Sequence, residues 1–455
     1  MSLDDPKFQP DFVDQLNMMN TEIRKVQGRR VWDSRGRPTV EVEIELVSGA
    51  IGRAIAPAGA STGTGEALDL RDGGSALAGL GINKALTAVN GEIAKLLVGR
   101  DARHQAELDH AIIELDGTKN RSRLGGNASV ATSMALLHAA AAAADQPIWR
   151  HLAGTNKGIT MPLPEIQIFG GGAHAARRVD VQDFMIMCPA ASTFSEALEW
   201  TAEVYRAAGE LMKRAGKLQG VADEGGYWPA FTSNEEALDA LVRSIEAAGL
   251  KPGAEVAISL DIAASEFGRK GKYSLALEDR QLDTAKMIDM LGGWLKAYPI
   301  VSIEDPLAED DPDGFKEFTA RYGSSCQIIG DDFFVTNAAR VTEAIKEKSA
   351  NAVLIKPNQA GTITETFDAL SAAKKAGFRT IVSARSGETE DVTIAHLSVG
   401  WDARQLKVGS FSRSERMAKW NEVLRIEEAL GKEASFAGWS ALNLAEKPAA
   451  VAAAG

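Results

Sequence analysis

From Thr39 to Leu46 the chain reads Thr-Val-Glu-Val-Glu-Ile-Glu-Leu, apolar and acidic residues in alternation. That period of two predicts a half-exposed strand. A loop of small residues follows, Ala56 to Gly65, and Asn127 to Asp145 is rich in alanine and predicts a helix. Residues 1–20 show no period and are expected to form a loose leader. These features predict an α+β domain over residues 21–155. The Gly and Pro residues between Gly154 and Pro164 mark its boundary.

The rhythm then changes. Short apolar runs lead into Asp261, Glu304, Asp331, Lys356, Ala384 and Lys407, with amphipathic stretches between them. Each interval is long enough for a helix and its loops, which makes a βα series. Two earlier runs, Ile166–Phe169 and Phe184–Met187, raise the expected strands to eight. The fold class is therefore α/β, an eight-stranded barrel over residues 156–440, in which strand ends gather at one mouth. A flat doubly wound sheet remains the alternative on pattern alone. Residues 441–455 are expected to be a frayed tail.

Composition narrows the function. A hydrophobic share of 45% and a charged share of 25% are those of a globular protein. The net charge of −12 disfavours nucleic acid as a partner. No apolar run approaches the ~18 residues that would suggest a membrane span, and the acidic start Met-Ser-Leu-Asp-Asp-Pro does not resemble a secretory signal. Cys188 and Cys326 have no ligand or disulfide spacing and are expected to be free thiols of a cytoplasmic protein.

Chemistry enters at the strand ends. Any one of Asp261, Glu304 and Asp331 alone is most simply a solvated loop acid. Three acids converging at one mouth repel one another unless a cation neutralises them, and oxygen ligands suit Mg²⁺. Lys356 and Lys407 lie on later strands of the same mouth. A lysine works as a base where its surroundings lower its pKa; two anion-binding lysines are the competing reading. Glu224, in Asp223-Glu224-Gly225-Gly226, is either a proton donor on a tight loop or part of a helix-capping turn.

Several segments carry a resemblance. They are Asp33-Ser34-Arg35-Gly36, Gly59-Ala60-Ser61-Thr62-Gly63, Asp223-Glu224-Gly225-Gly226, Ser302-Ile303-Glu304-Asp305-Pro306, Arg385-Ser386-Gly387-Glu388-Thr389-Glu390-Asp391 and Ser412-Arg413-Ser414-Glu415-Arg416. In this order, over about residues 22–440, the chain resembles the enolase family. The resemblance implies a (β/α)8-type barrel of the enolase kind, its first two strands antiparallel, with an N-terminal α+β capping domain. It implies a Mg²⁺-dependent glycolytic hydro-lyase acting on a small phosphorylated carboxylic acid, and a homodimer or higher oligomer. Asp261, Glu304 and Asp331 match its metal ligands, and Ser61 matches a loop serine that helps hold a second Mg²⁺. Lys356 matches the base, Lys407 the lysine that holds the substrate carboxylate, and Glu224 the acid that helps hydroxide leave. Arg385 and Ser386 match the phosphate grip, His174 the histidine of a second mobile loop, and Gln182 a neighbouring amide.

The departures from the family pattern cluster at the chemistry. Ala384 stands where the family has histidine, Asp183 where it has glutamate, and Gly170 where it has asparagine. Arg177 and Arg178 add positive charge to the second loop. Alanine at 384 predicts slow dehydration and an imidazole-sized space for a bulkier substrate. The expected function is the conversion of 2-phosphoglycerate, or a close analogue, to phosphoenolpyruvate. The alternatives are a carboxyphosphonoenolpyruvate synthase-like enzyme of phosphonate metabolism and a non-catalytic binding paralogue.

Overall fold

A computed structural model describes residues 21–60, 62–156, 158–177 and 179–445. The expected leader, Ser61, Arg178 and the tail from 446 onward lie outside the described residues. The chain divides into two compact units. The first runs to Ala58 and takes in Glu66–Gly154 and Pro357–Phe367; the second comprises Gly59–Gly65, Thr155–Lys356 and the chain from Asp368.

In the first unit, strands β1 (Ile23–Trp32), β2 (Pro38–Leu46) and β3 (Ile51–Ile55) form an antiparallel sheet. The alternation in β2 sorts as its period demands: Val40, Val42, Ile44 and Leu46 are fully buried. Glu41 and Glu43 meet Arg29 and Arg53 across the strands. Helices α1 (Gln105–Asp116) and α2 (Gly126–Ala143) are the long helices of the unit, and α2 covers β2 and β3. The approach is close because the residues are small. A Cβ on Gly52 would stand 2.1 Å from the Ala135 carbonyl oxygen.

The second unit is a closed eight-stranded barrel. Its strands are β4 (Leu163–Gly170), β5 (Asp183–Met187), β6 (Ala257–Asp261), β7 (Ile300–Glu304), β8 (Gln327–Gly330), β9 (Ala352–Ile355), β10 (Arg379–Ser383) and β11 (Arg404–Ser410). All neighbours are parallel except that β5 runs antiparallel to both β4 and β6. Reversing β5 brings its first residue, Asp183, to the mouth, opposite Gly170 on β4 and Asp261 on β6.

Helices α3 (Phe194–Arg214), α4 (Asn234–Ala247), α5 (Thr284–Ala297), α6 (Pro312–Tyr322), α7 (Ala338–Glu347), α8 (Thr393–Gly400) and α9 (Ser414–Leu430) belong to the same unit. Their starts are written in the sequence: Thr193, Ser233, Asp283, Asp311 and Asn337 each accept a backbone N–H of the first turn. Apolar residues of α3, at Ala197, Val204, Ala208 and Met212, pack with the outer faces of β4 and β5.

The lower end of the barrel is closed by Leu163, Met187, Ala257 and Val301, against which Ala441 and Leu442 pack. The expected fraying therefore does not begin at 441, because Leu442 is fully buried there. Among the described residues no helix is long and apolar enough to cross a membrane.

Candidate active site

Lys407 stands at the centre of the mouth. It is the fourth residue of β11 rather than its last; a register shift between Lys407 and Gly409 carries the strand on to Ser410. Its Nζ lies 2.9 Å from Asp261 Oδ2, 2.7 Å from Glu304 Oε2 and 3.6 Å from Asp183 Oδ2. Lys356, one residue beyond β9, places its Nζ 2.5 Å from Asp331 Oδ2. Gln182 donates from Nε2 to the same Asp261 oxygen, at 3.1 Å. A cavity of about 20 Å³ remains, bordered by Lys356, Lys407, His174, Glu224, Ala384 and Arg385. A far larger one, about 710 Å³, lies beside Thr64, Arg340 and Phe333 and holds none of these groups. The chemistry belongs to the smaller cavity, where the buried ionisable side chains converge.

The charges explain one another. Burial first, and then the Asp261 charge, push the Glu304 carboxyl well above its ordinary value. Burial works against the charge on Lys407, but Asp261, Glu304 and Asp183 overcome it and hold the ammonium well above its usual range. Lys356 is likewise raised, by Asp331 against burial and against the nearby Arg385 and Lys407 charges. The carboxylate in contact outweighs the cations farther off.

A divalent cation fits this donor set. Glu304 Oε1 and Asp183 Oδ2 are buried without a hydrogen-bond partner, and Asp261, Glu304 and Asp331 crowd buried negative charge against Lys407 and Lys356, with Arg385 also acting on Asp331. Asp261 and Glu304 share Lys407, whereas Asp331 pairs with Lys356 and joins Asp305 and Asp332 in an acidic group. Asp305 accepts the backbone N–H groups of Asp331 and Asp332, at 2.9 and 2.8 Å, and so fixes the turn after β8.

On the far side of the barrel, four strands round from β9, the loop between β4 and β5 folds His174 over the mouth. His174 Nδ1 lies 3.2 Å from Asp183 Oδ1, and its Nε2 lies 3.7 Å from Glu224 Oε1. Burial would lower the imidazole pKa, but Glu224 and then Asp183 raise it to about 9, so the ring is charged at neutral pH. Burial would raise Asp183, but His174 first, and then Lys407, hold it at about 2. Glu224 sits on a tight turn with Gly225 at φ +96°. Its carbonyl accepts the N–H of Ser410, at 2.9 Å, which ties the turn to the end of β11.

The Arg385–Ser386 segment, just past β10, is held from behind by α9. Fully buried Arg416 donates to the carbonyls of Arg385 (2.7 Å), Val408 (2.8 Å) and Ser386 (2.6 Å). Fully buried Lys419 donates to Thr389 O at 2.6 Å and pairs with Glu388 at 3.0 Å. Glu388 in turn accepts the N–H of Arg385.

Ala384 is buried at the rim of the small cavity. About 20 Å³ holds roughly one water, so the alanine does not leave the expected imidazole-sized space. Arg177 pairs with Glu266 at 3.4 Å and points to the surface. Sequence reasoning assigned no role to Gln167, Asp305, Arg416 or Lys419. Asp305, Arg416 and the Glu388 beside Lys419 stand inside segments already singled out, which is the signal that was available.

Comparison with known proteins adds the following. Residues 23–152 match the model described as "Enolase, N-terminal domain", and residues 158–445 match "Enolase, C-terminal TIM barrel domain". The chain is 50% identical over 424 residues to a protein named Enolase 1 from Desulfitobacterium hafniense (strain Y51), covering 92% of this chain and 96% of that protein.

Proposed function

The chain belongs to the enolase family, and on that premise we propose that it dehydrates 2-phosphoglycerate to phosphoenolpyruvate. The observation that carries this reading is the division of the mouth. Lys356 with Asp331 stands on one side, the His174–Asp183–Glu224 cluster stands on the other, and Lys407 lies between them against Asp261, Glu304 and Asp183. The reaction needs that division, with a base for a carbon-bound proton on one face and an acid for departing hydroxide on the other. Identity with Enolase 1 over nearly the whole chain favours this activity over a phosphonate side pathway or a binding role.

Lys356 takes the proton next to the substrate carboxylate, and Lys407 holds that carboxylate. Arg385 and Ser386 grip the phosphate, positioned by Arg416. Glu224 takes a proton from the charged His174 that it faces and delivers it to the leaving hydroxide, which departs as water, and Asp183 orients the imidazole. Mg²⁺ would be held by Asp261, Glu304 and Asp331, with Ser61 helping to hold a second ion; bound there, it supplies charge that frees the lysines from their carboxylates and stabilises the enolate. Gln182 orients Asp261. Cytoplasmic operation and a homo-oligomer are part of the same proposal and rest on family membership.

Solvent exchange tests the base. In D₂O with Mg²⁺, the parent protein is expected to exchange the carbon-bound proton of 2-phosphoglycerate, and Lys356→Met to exchange it at least ~10²-fold more slowly. Equal rates would remove Lys356 from the role.

A further inference from the structure

We infer that Gln167 is a positioning residue that holds Asp183 and the Glu224 turn in one fixed relation. The inference rests on the function proposed above and names a part of the site that no catalytic role yet covers. Gln167 lies in β4 and is fully buried. Its Oε1 accepts the backbone N–H of Gly226 at 2.8 Å, and its Nε2 donates to Asp183 Oδ1. The orientation of the amide follows from its partners. A backbone N–H can only donate, so the oxygen must face Gly226, and the nitrogen is left for the carboxylate.

The side chain has little freedom to do otherwise. A Cβ on Gly226 would stand 2.3 Å from Gln167 Oε1, and one on Gly170 would stand 3.3 Å from its Nε2. Two glycines thus leave the space the amide fills. Asp183 Oδ1 receives both Gln167 Nε2 and His174 Nδ1, and His174 faces Glu224 through its other nitrogen. The contacts close a ring: Gln167 hydrogen-bonds Asp183, Asp183 hydrogen-bonds His174, His174 faces Glu224 across a 3.7 Å ion pair, and the Glu224 turn returns to Gln167 through the N–H of Gly226. Fixing the turn and the carboxylate to one rigid amide sets the distance between the imidazole and the proton donor.

The geometry depends on a combined length. Asp183 has a short arm and Gln167 a long one, and the long amide reaches the short acid. Removing one methylene from Gln167 breaks one of its two bonds. Adding one methylene to Asp183 at the same time restores the span.

The experiment compares the parent with Gln167→Asn, Asp183→Glu and the double variant in steady-state dehydration of 2-phosphoglycerate with Mg²⁺. Cooperative thermal unfolding serves as the check on folding. Gln167→Asn is expected to lower kcat roughly 10- to 100-fold, as a misplacement near 1 Å does, with KM for 2-phosphoglycerate little changed. The double variant is expected to recover most of that kcat, because residues in contact are not additive. Parent-like kcat in Gln167→Asn would overturn the inference. So would a double variant, folded like the parent, whose loss equals the product of the two single losses. A folded parent without turnover would instead overturn the function on which the inference rests.

Discussion

At the scale of single residues, the His174–Asp183–Glu224 cluster has a consequence for stability. The His174 pKa is raised from 6.5 to about 9. A group whose folded pKa exceeds its unfolded one contributes stability that is complete below the unfolded value. That contribution is lost as pH rises through the folded value. The window is therefore pH 6.5 to 9, and the contribution is at most about 3 kcal/mol. Asp183, lowered from 3.8 to about 2, reports the same interaction from its other end and is counted once. Its share is present above its unfolded pKa and is lost only as pH falls through about 2. Denaturant unfolding of the parent should show stability falling between pH 6.5 and 9, with His174→Gln lacking most of that slope; parallel profiles would contradict a charged His174. The residues that frame this cluster differ in how readable they are. Asp261, Glu304, Asp331 and Lys356 each follow an apolar run, so a strand end places them at the mouth. Gln167 gives no such sign, because in Glu-Ile-Gln-Ile it looks like one more polar position of a strand; only the folded Gly226 turn shows what its amide does.

At the scale of elements, the strand count was readable and the strand direction was not. An apolar run such as Phe184–Met187 has the same period whichever way it runs, so the reversal of β5 came only from the resemblance. That reversal is what places Gln182 and Asp183 at the mouth, at the start of a strand rather than at its end. Helix α9 hides its role differently. Its charged sequence, Ser-Glu-Arg-Met-Ala-Lys, reads as a solvated surface, yet Arg416 and Lys419 are fully buried under the Arg385–Thr389 segment. Arg416→Ala would leave three carbonyls without their donor. Each unpaired buried acceptor costs roughly 1–3 kcal/mol, so a stability loss of about 3 kcal/mol or more is expected in chemical denaturation. Arg416→Lys should keep part of it, and an unchanged midpoint in Arg416→Ala would contradict the buried bracket.

At the scale of the whole molecule, an acidic chain is asked to bind an anionic substrate. The net charge of −12 repels it at a distance, so binding depends on the local field of Lys356, Lys407 and Arg385 at the barrel mouth, with the cation that the acids there would hold. The overall charge disfavours polyanions yet says nothing of these few buried cations, which meet only once separated strands converge. The discontinuous first unit, with Pro357–Phe367 joined to residues far earlier in the chain, is beyond any reading that moves along contiguous stretches. The central claim remains the reaction itself, and the direct measurement is the rise in enolpyruvate absorbance when the purified protein is mixed with 2-phosphoglycerate. The account predicts steady formation of phosphoenolpyruvate with Mg²⁺ and its loss when the metal is chelated with EDTA. No absorbance change with Mg²⁺ and folded protein would contradict it.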